Sequence, residues 1–543
     1  MTRTALLPAV LLAALLSGCA AQPGTAAGKP AAPGPTPTPA ALPPDSENPE
    51  DVRARIPMRP TPPQPENKFP PPQQSEEEEQ RTSNAPGEPD LLHMEPSVLL
   101  DGKPFPERTN YEPGFPDARR LRYVLATAAG PGDGSFERPW RNLQDALCRL
   151  EPGDRLVVSA DVYEGSFRVG GPCRSGTEQL PIQVFARHAF LKPAGSGDVL
   201  TIERAHWQFW ELQIALLDSD VAGLVVSGTE AHDIAVDQTH IYEGNGPAVR
   251  VAAGSSRVTF SNCHIHQSRG VRIESGASEI VLVNNHIHHN RSASVAIGGG
   301  RGLEPARDLK LVGNRIHNDH GPALELSACY RVTVTRNRFS NYRPNDEGEG
   351  GEAVVVGSGC RTVTFEANSV LEASVAARVG DASSSGAPSE GLVFQRNYLE
   401  NRLTADATAF RLLRGKGVRV ANNVIDRYAE PFWIGSSGLE RVEIANNLAI
   451  KPRIAFALGA LSSVAFFDYN VFGADPSLPA MVGQGSEGAS WISRMPHSRI
   501  VPGADLSGGD LSRIVGFSPV DAGKALEGMG YRGAAPDIGV AER

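Results

Sequence analysis

The sequence is poor in aromatic residues and has no excess of positive charge. Aromatic side chains make up 6% of the 543 residues, and the formal net charge at pH 7 is −10. A chain without a basic field lacks the electrostatic footprint of nucleic-acid-binding proteins, which argues against nucleic acid as a partner. The sequence also lacks HExxH and Cys-x-x-Cys metal motifs, a Gly-x-Ser-x-Gly nucleophile motif and a phosphate-binding loop. No short catalytic motif therefore identifies the chemistry.

The first 18 residues have the features of a secretory signal. Arg3 precedes the apolar run Ala5–Leu16, which is shorter than the about 20 residues of a membrane-spanning helix. The run ends in Leu16-Ser17-Gly18-Cys19, which resembles the lipobox of bacterial lipoproteins. That resemblance implies acylation of Cys19, attachment to a lipid bilayer and, because Ala20 follows, an outer-membrane location in a Gram-negative cell envelope. The alternative is an ordinary cleaved signal followed by a chance cysteine.

Residues 19–115 are predicted to be a disordered tether. Of the 44 prolines in the chain, 24 lie between Pro23 and Pro116. The run Pro33-Gly34-Pro35-Thr36-Pro37-Thr38-Pro39 favours extended polyproline II, and the acidic run Glu76–Glu79 keeps the segment solvated. We expect this region to act as a spacer between the membrane and a folded domain.

From about residue 200 the chain repeats a unit of three short strands, with Asn in a turn between the first two. Val258–His266 aligns with Ile280–His288 and with Leu309–His317. Apolar residues alternate with polar ones, so one side of each strand faces a common interior. A leucine-rich repeat is not supported because the regular leucine pattern of that fold is absent. A β-propeller would need four strands in about 40 residues. The pattern predicts a β-solenoid whose stacked Asn side chains adopt a left-handed turn and satisfy each other. The Asn position is occupied in successive copies by Thr239, Cys263, Asn285, Asn314, Asn337, Asn368, Asn397, Asn423 and Asn447.

Three further segments make the resemblance specific. Pro131–Leu147 resembles the Gly-rich turn and capping helix that open the right-handed parallel β-helix, or pectate-lyase-like, family. Pro152–Glu164 resembles that family's first coil, and Ser518–Gly523 with Pro536–Gly539 resembles its C-terminal ending. The resemblance implies an all-β, single-stranded right-handed parallel β-helix of roughly 11 to 13 coils over residues 116–475. An N-terminal capping helix would close one end, and residues 476–543 would be a C-terminal extension packed on the β-helix.

Five cysteines remain after Cys19. Cys329 and Cys360 each lie three residues before a core valine in consecutive copies, so we expect them to stack about 4.8 Å apart and to form a disulfide. Cys148 and Cys173 are predicted to form a second disulfide that fixes the capping helix. Cys263 occupies the Asn position and is expected to be buried and free.

Outward-facing positions of a β-helix form columns along its wall, and three columns carry chemistry. The first column contains His240, His264, His286, Arg315 and Arg338, and the second contains Tyr242, His266, His288 and His317. The third lies on the strand after the variable loop and contains Arg250, Arg272, Ala296, Glu325, Val355, Arg411 and Trp433. The neighbouring loops add Arg269, Arg291, Asp319, His320 and Arg343, followed by the acidic residues Asp346, Glu347, Glu349 and Glu352.

The resemblance implies that the third column and its loops form a polysaccharide groove. A lyase acting on uronates needs a cation for the carboxylate and groups that move protons. The candidate catalytic residues are Arg272, His288, His317, Asp319, His320 and Glu325, and the candidate substrate-binding residues are Arg250, Arg269, Arg291, Arg343, Arg411 and Trp433. Asp319 and Glu325 are the candidate ligands for Ca²⁺, and no other cofactor is expected. Three alternatives compete with these roles. The histidine columns are solvated and have no activity, or the charged residues only form surface ion pairs, or, less favoured, the histidines bind zinc.

Two functions follow. The first is a surface-anchored, monomeric β-helix lipoprotein that binds polysaccharide or serves as an envelope scaffold without catalysis. The second is a lyase or hydrolase of acidic, uronate-containing polysaccharide. The two functions differ in how close the candidate residues must lie. An enzyme needs Arg272, His288, Asp319, His320 and Glu325 in one groove, whereas a scaffold allows them to lie apart.

Overall fold

The structure is a computed structural model, and the part of it described below starts at residue 117, in the region that the sequence assigns to the solenoid. It describes residues 117–299, 304–344, 350–381, 386–402, 404–435, 437–459, 464–482, 485–487, 495–503, 506–507, 510–514, 522–526 and 536–539. The predicted signal sequence 1–18, the acylation site Cys19 and the tether 19–115 lie outside the described residues. The same holds for Asp346, Glu347 and Glu349.

Among the described residues, short strands form three long sheets, here called sheets I, II and III, with 15, 14 and 14 strands respectively, and a separate two-stranded sheet. Sheet I comprises Arg120–Val124, Asp154–Val158, Ile182–Phe185, Trp207–Trp210, His232–Asp237, Ser256–Ser261, Ser278–Val283, Ala306–Val312, Cys329–Thr335, Arg361–Glu366, Glu390–Gln395, Gly415–Ala421, Leu439–Glu440, Val442–Ala445 and Val464–Asp468. Sheet II comprises Val162–Glu164, Phe190–Lys192, Gln213–Ala215, His240–Tyr242, His264–His266, His286–His288, Arg315–His317, Arg338–Tyr342, Ser369–Ala373, Tyr398–Glu400, Val424–Asp426, Leu448–Ile450, Val471–Gly473 and Arg499–Ile500. Sheet III comprises Phe167–Val169, Leu200–Ile202, Leu224–Val226, Val249–Val251, Val271–Ile273, Val295–Ile297, Leu324–Leu326, Glu352–Val356, Val375–Val379, Thr408–Leu412, Glu430–Ile434, Ala457–Leu458, Ala480–Val482 and Gly485–Glu487. The small sheet pairs Leu506–Ser507 with Asp510–Ile514.

The chain visits sheets I, II and III in turn, so each circuit adds one strand to every sheet. Neighbouring strands in the long sheets are parallel, except for the final pair of sheet III, Ala480–Val482 with Gly485–Glu487. The three strands that contain Phe260, Ile265 and Ile273 belong to one circuit. This arrangement confirms the predicted all-β parallel solenoid, which makes about 13 turns.

The interior is aliphatic because every second residue of each strand points inward. In the circuit just named, Val258, Phe260, Ile265, Val271 and Ile273 are all at most 1% exposed. Burying one such side chain contributes roughly 1.5 to 3 kcal/mol, so each added circuit extends a continuous hydrophobic column. Aromatic side chains also lie inside the tube, among them Trp207, Phe260 and Phe339, each at most 1% exposed.

A ladder of buried asparagines runs along the turn between sheets I and II. In each step the Nδ2 group donates to the Oδ1 atom of the next Asn at 2.8–3.0 Å. The same Oδ1 atom accepts from the preceding backbone amide, as in Asn285 N to Asn314 Oδ1 at 2.9 Å. Asn470, whose place was unclear from the sequence, continues the ladder, which ends on the Ser498 hydroxyl. The predicted stacking of amides is therefore confirmed.

One detail of that prediction is wrong. The left-handed residue in each turn is the one before the ladder asparagine, for example Asn284 with φ 55° before Asn285 and Gly313 with φ 67° before Asn314. The side chain of the ladder asparagine points into the interior and meets the amide of the next circuit, across the strands rather than along them.

Of the two predicted disulfides, one is formed. Cys148 and Cys173 are bonded, as predicted, and Cys263 is buried and free. Cys329 and Cys360 do reach neighbouring positions, but they remain free buried thiols joined by a hydrogen bond. Parallel in-register strands hold the two Cβ atoms about 4.8 Å apart, whereas a disulfide needs about 3.5–4.5 Å. The predicted Cys329–Cys360 disulfide is therefore corrected to a thiol pair.

The described part of the chain contains one short α-helix, Leu143–Arg149, which begins after the N-cap Asn142. Its residues Leu143 and Leu147 join the same hydrophobic cluster as Val158 and Phe167 in the first circuit. The role of this helix as a cap over the open end of the core stays a prediction. Among the described residues, no helix has the length and apolarity needed to cross a bilayer.

The C-terminal segments contact the wall near the turn between sheets I and II. Asn446 donates from Nδ2 to the Lys524 carbonyl, and its Oδ1 atom accepts from the Lys524 amide at 2.8 Å. Asn422 Nδ2 donates to the Asp537 carbonyl at 2.9 Å. These bonds fix residues 522–526 and 536–539 against circuits near the end of the solenoid.

Candidate functional site

The outer face of sheet III carries the third column in the predicted register. Arg250 pairs with Arg272, Arg272 with Ala296, and Ala296 with Glu325. Further along, Arg411 pairs with Trp433. All of these positions lie between two inward residues of the same strand, which is why alternation alone located them.

One member of this column was not predicted from the sequence. Arg378 lies between Val355 and Arg411, in register with both. Its strand, Val375–Val379, alternates more weakly than its neighbours because two alanines flank each other at 376 and 377. Aligning the buried Val379 with Leu412 would have placed Arg378 opposite Arg411. The three residues Arg378, Arg411 and Trp433 therefore occupy consecutive strands.

Several of the column's arginines are paired with carboxylates. Arg250 lies 2.9 Å from Asp198, and Arg378 lies 3.1 Å from Glu352. Arg272 donates to the Ser292 hydroxyl at 2.8 Å. Burial lowers the pKa of Arg272 below its usual range, and the charge of Glu325 acts in the opposite direction. Ala296 separates Arg272 from Glu325, so the two lie two strand spacings, or about 10 Å, apart along the column.

The loop residues are mostly exposed. Arg269, His320 and Arg343 project from the loops between sheets II and III. Arg291 is ion-paired with Asp218 at 3.1 Å and hydrogen-bonded to Asn245. These four residues lie in the loops that precede strands of sheet III.

Asp319 differs from its neighbours because its carboxyl group is enclosed. One oxygen accepts from the Asn290 amide at 2.8 Å and from Asn290 Nδ2 at 3.1 Å, and the other accepts from the Tyr342 hydroxyl at 2.7 Å. Burial raises the pKa of Asp319 to about 7, although these hydrogen bonds act in the opposite direction. The group holds the loop together, and both of its oxygens are already in use within the chain.

The outer face of sheet II carries the first two columns. His240, His264 and His286 are in register with one another, and the next position is Arg315. Histidine rings of one column stack at centroid distances of 4.6–5.0 Å, as between His240 and His264 at 4.6 Å and between His266 and His288 at 5.0 Å. The two columns also meet diagonally. Their closest contacts join the Nε2 atoms of His240 and His266 at 2.8 Å, of His264 and His288 at 2.7 Å, and of His286 and His317 at 2.8 Å.

The packing keeps these imidazoles neutral. Burial lowers the pKa of His264 to about 4, and burial together with the His264 charge lowers the pKa of His266 to about 3. The pKa of His317 is lowered to about 3 and that of His286 to about 2, first by burial and then by neighbouring cations. Near pH 7 each ring therefore offers a lone pair on one nitrogen and a proton on the other.

The candidate catalytic residues fall on different parts of the wall. Arg272 and Glu325 lie on the outer face of sheet III, whereas His288 and His317 lie on the outer face of sheet II. Asp319 and His320 belong to the loop that joins these sheets. The structure thus separates the proton-transfer candidates from the carboxylate-binding candidates, and their catalytic roles stay predictions.

A further cluster was not anticipated from the sequence. His206, His232 and Asp233 bring three possible ligand atoms within 4.8 Å of one another at the start of two neighbouring sheet I strands, Trp207–Trp210 and His232–Asp237. Asp233 is held by Arg257 at 2.7 Å, and this guanidinium above all lowers the pKa of Asp233 to about 2. Aligning Ala205-His206 with Ala231-His232 would have revealed the pair. The ion pair with Arg257 marks the cluster as a turn-stabilising one.

Comparisons with known proteins concern the fold. A family model described as "Right handed beta helix region" matches residues 222–399, so this part of the chain is a right-handed β-helix, as predicted. Pectate lyase Pel9A is similar in structure with a TM-score of 0.44 and 17% identity, over 83% of this chain and 100% of that one. The PL6 family alginate lyase AlyGC gives a TM-score of 0.41 and 13% identity over 68% and 53% of the two chains. PfbA, a surface adhesin of Streptococcus pneumoniae, gives 0.41 and 11% over 67% and 92%. The comparison with curated proteins finds no match.

Proposed function

We propose that the protein is a lipid-anchored β-helix of the cell envelope that binds an acidic polysaccharide along the outer face of sheet III, without catalysing its cleavage. The observation that carries this proposal is the run of Arg378, Arg411 and Trp433 on three consecutive strands. Two cations and one aromatic ring, all partly exposed, form a continuous line on one face.

The spacing and the residue types suit an extended anionic glycan. Strands lie about 4.8 Å apart, which is close to the length of one sugar ring, so successive side chains can meet successive sugar residues. A guanidinium group binds a carboxylate through two parallel hydrogen bonds, and an indole ring packs against the apolar face of a sugar. Arg411 is the best placed cation, since it lies beside Trp433, whereas Arg250 and Arg378 also serve ion pairs.

The anchor and the location rest on the sequence. Leu16-Ser17-Gly18-Cys19 supports acylation of Cys19, and Ala20 favours the outer membrane of a Gram-negative bacterium. The 19–115 segment would then hold a monomeric solenoid away from the bilayer. The net charge of −10 disfavours nucleic acid as a partner.

The alternative function, a lyase or hydrolase of uronate polysaccharide, has less support. It needs His288 or His317 to act at a substrate bound by Arg272, and these groups lie on two different sheets. Its calcium site would use Asp319, whose oxygens already accept hydrogen bonds from Asn290 and Tyr342.

Binding should be measured by isothermal titration calorimetry with polygalacturonate and alginate, with neutral dextran as the uncharged control. We expect Arg411→Ala and Trp433→Ala each to weaken binding of the acidic glycans about tenfold or more, which corresponds to about 1.4 kcal/mol. Arg361→Ala, an exposed arginine on sheet I, is the matched control and should bind as the parent does. Equal affinity in all variants, or no binding to any acidic glycan, would overturn the proposal. Appearance of an unsaturated, ultraviolet-absorbing product during the titration would favour the lyase instead.

A further inference from the structure

Five histidines on the outer face of sheet II form a compact group of metal-ligating side chains, here called the histidine array. Its members are His240, His264, His266, His286 and His288. They fall into two overlapping triads, and within each triad the ring nitrogens that could act as ligands lie within 4.8 Å of one another. The first triad is His240, His264 and His266, and the second is His264, His286 and His288.

We propose that the histidine array binds one divalent transition-metal ion, of the class of Zn²⁺, Ni²⁺ and Cu²⁺, through His240, His264 and His266. This site lies on a different face from the proposed glycan surface. Failure of either proposal therefore leaves the other standing.

The ring positions bracket the geometry that such an ion requires. Zinc–nitrogen bonds of 2.0–2.1 Å in a tetrahedral site place two ligand nitrogens about 3.3 Å apart. In the first triad the closest nitrogens, those of His240 and His266, are 2.8 Å apart, and all three lie within 4.8 Å. Small rotations about the side-chain torsions reach 3.3 Å without moving the strands. The backbone supports this, because His240 and His264 are fixed in register by parallel pairing.

The donor set selects the kind of metal. All five members of the array offer imidazole nitrogen, and neutral imidazole suits zinc, copper and nickel. Calcium and magnesium prefer oxygen ligands, which neither triad provides.

Charge favours the first triad over the second. His286 lies directly beside Arg315 in the first column, on the neighbouring strand. The same cation would repel a bound metal ion. His240 lies at the opposite end of the column, three strands away from Arg315. A metal at the first triad is therefore farther from the positive charge.

The array leaves a coordination position for solvent. His240, His264 and His266 are packed against one another but stay partly exposed, so the outer side of the site faces solvent. Three histidines and one water molecule are a common arrangement for an accessible zinc ion.

The experiment uses the full chain without a polyhistidine tag. Metal-free protein is dialysed against Zn²⁺, Ni²⁺, Cu²⁺ or Ca²⁺, and bound metal is counted by mass spectrometry, with affinities from calorimetry. We expect one tightly bound transition-metal ion per chain and no retained Ca²⁺. His264→Ala, which removes the ligand common to both triads, should weaken binding roughly 100-fold or more.

Further variants separate the triads and control for folding. His240→Ala with His266→Ala should abolish tight binding, whereas His286→Ala with His288→Ala should retain it. His320→Ala, an exposed histidine in a loop, is the matched control and should bind as the parent does. If His264→Ala fails to fold, His266→Gln tests the same site. Less than about one tenth of an ion per chain, or equal affinity in the parent and the triad variants, would overturn the proposal. Retention by the first double variant with loss by the second would likewise overturn the assigned ligands.

Discussion

The asparagine ladder and the histidine array are neighbours in sequence and opposites in environment. Asn285 is followed directly by His286, and the same adjacency links Cys263 to His264. Asn285 is 2% exposed, whereas His286 is partly exposed on the outer wall. Both sets repeat once per circuit, and both stack like side chains at the spacing of parallel strands.

The two stacks differ in how completely they satisfy themselves. An asparagine amide carries two donors and an oxygen with two lone pairs, and a ladder member such as Asn314, with an asparagine on either side, uses all of them. A neutral imidazole has one donor and one lone pair, so each diagonal contact between two rings uses only part of their capacity. The inner stack therefore has a structural role. The outer stack keeps lone pairs available for a ligand.

Removal of one inner amide should cause the largest loss of stability. Asn337→Ala deletes a side chain that donates to the Leu311 carbonyl and to Asn368 Oδ1, and that accepts from the amide and Nδ2 groups of Asn314. Because the abandoned groups remain buried, we expect the free energy of unfolding to fall by about 4 kcal/mol. Urea unfolding followed by circular dichroism measures the loss. Lys310→Ala, at an exposed position of a neighbouring strand, is the control and should change stability by less than about 0.5 kcal/mol. A small effect for Asn337→Ala would show that water replaces the amide.

The sequence predicted the inner stack more fully than the outer one, for physical reasons. Strand alternation and turn spacing determine which residues share a column, so Asn285 and Asn314, and likewise Arg250 and Arg272, could be aligned without coordinates. The diagonal contact of His240 with His266 depends on side-chain torsions, which no spacing rule supplies. The enclosure of Asp319 by Asn290 and Tyr342 depends on a loop path of the same unpredictable kind. The thiols of Cys329 and Cys360 were correctly aligned, but alignment does not set the distance a bond requires.

Extension of the inner stack by one more amide should increase the stability of the fold. Cys263 occupies the ladder position next to Asn285, and its backbone amide already donates to Asn285 Oδ1 at 2.9 Å. Cys263→Asn adds an Nδ2 group at the place from which each ladder member donates to the next, with little change in volume. We expect the free energy of unfolding to rise by about 1 kcal/mol, the value of one net hydrogen bond.

Chemical unfolding of the Cys263→Asn and Cys263→Ala variants should be compared with the parent. The alanine variant is the matched control, since it loses the thiol without gaining an amide, and it should be less stable than the parent. If the asparagine variant is no more stable than the alanine variant, the ladder geometry does not continue to this circuit.

Substitutions on the outer wall should change the free energy of unfolding least. Arg272→Ala combined with Glu325→Ala removes two outward charges of sheet III that lie on either side of Ala296. Exposed charges on such a wall contribute little to folding, so the free energy of unfolding should change by less than about 0.5 kcal/mol. Ile273→Ala, one residue away and 1% exposed, should instead cost about 3 kcal/mol because it opens a cavity in the core. Thermal unfolding of the three proteins decides the point: a double variant as unstable as Ile273→Ala would mean that the outer column also supports the fold, and the division between a structural interior and a ligand-binding exterior would fail.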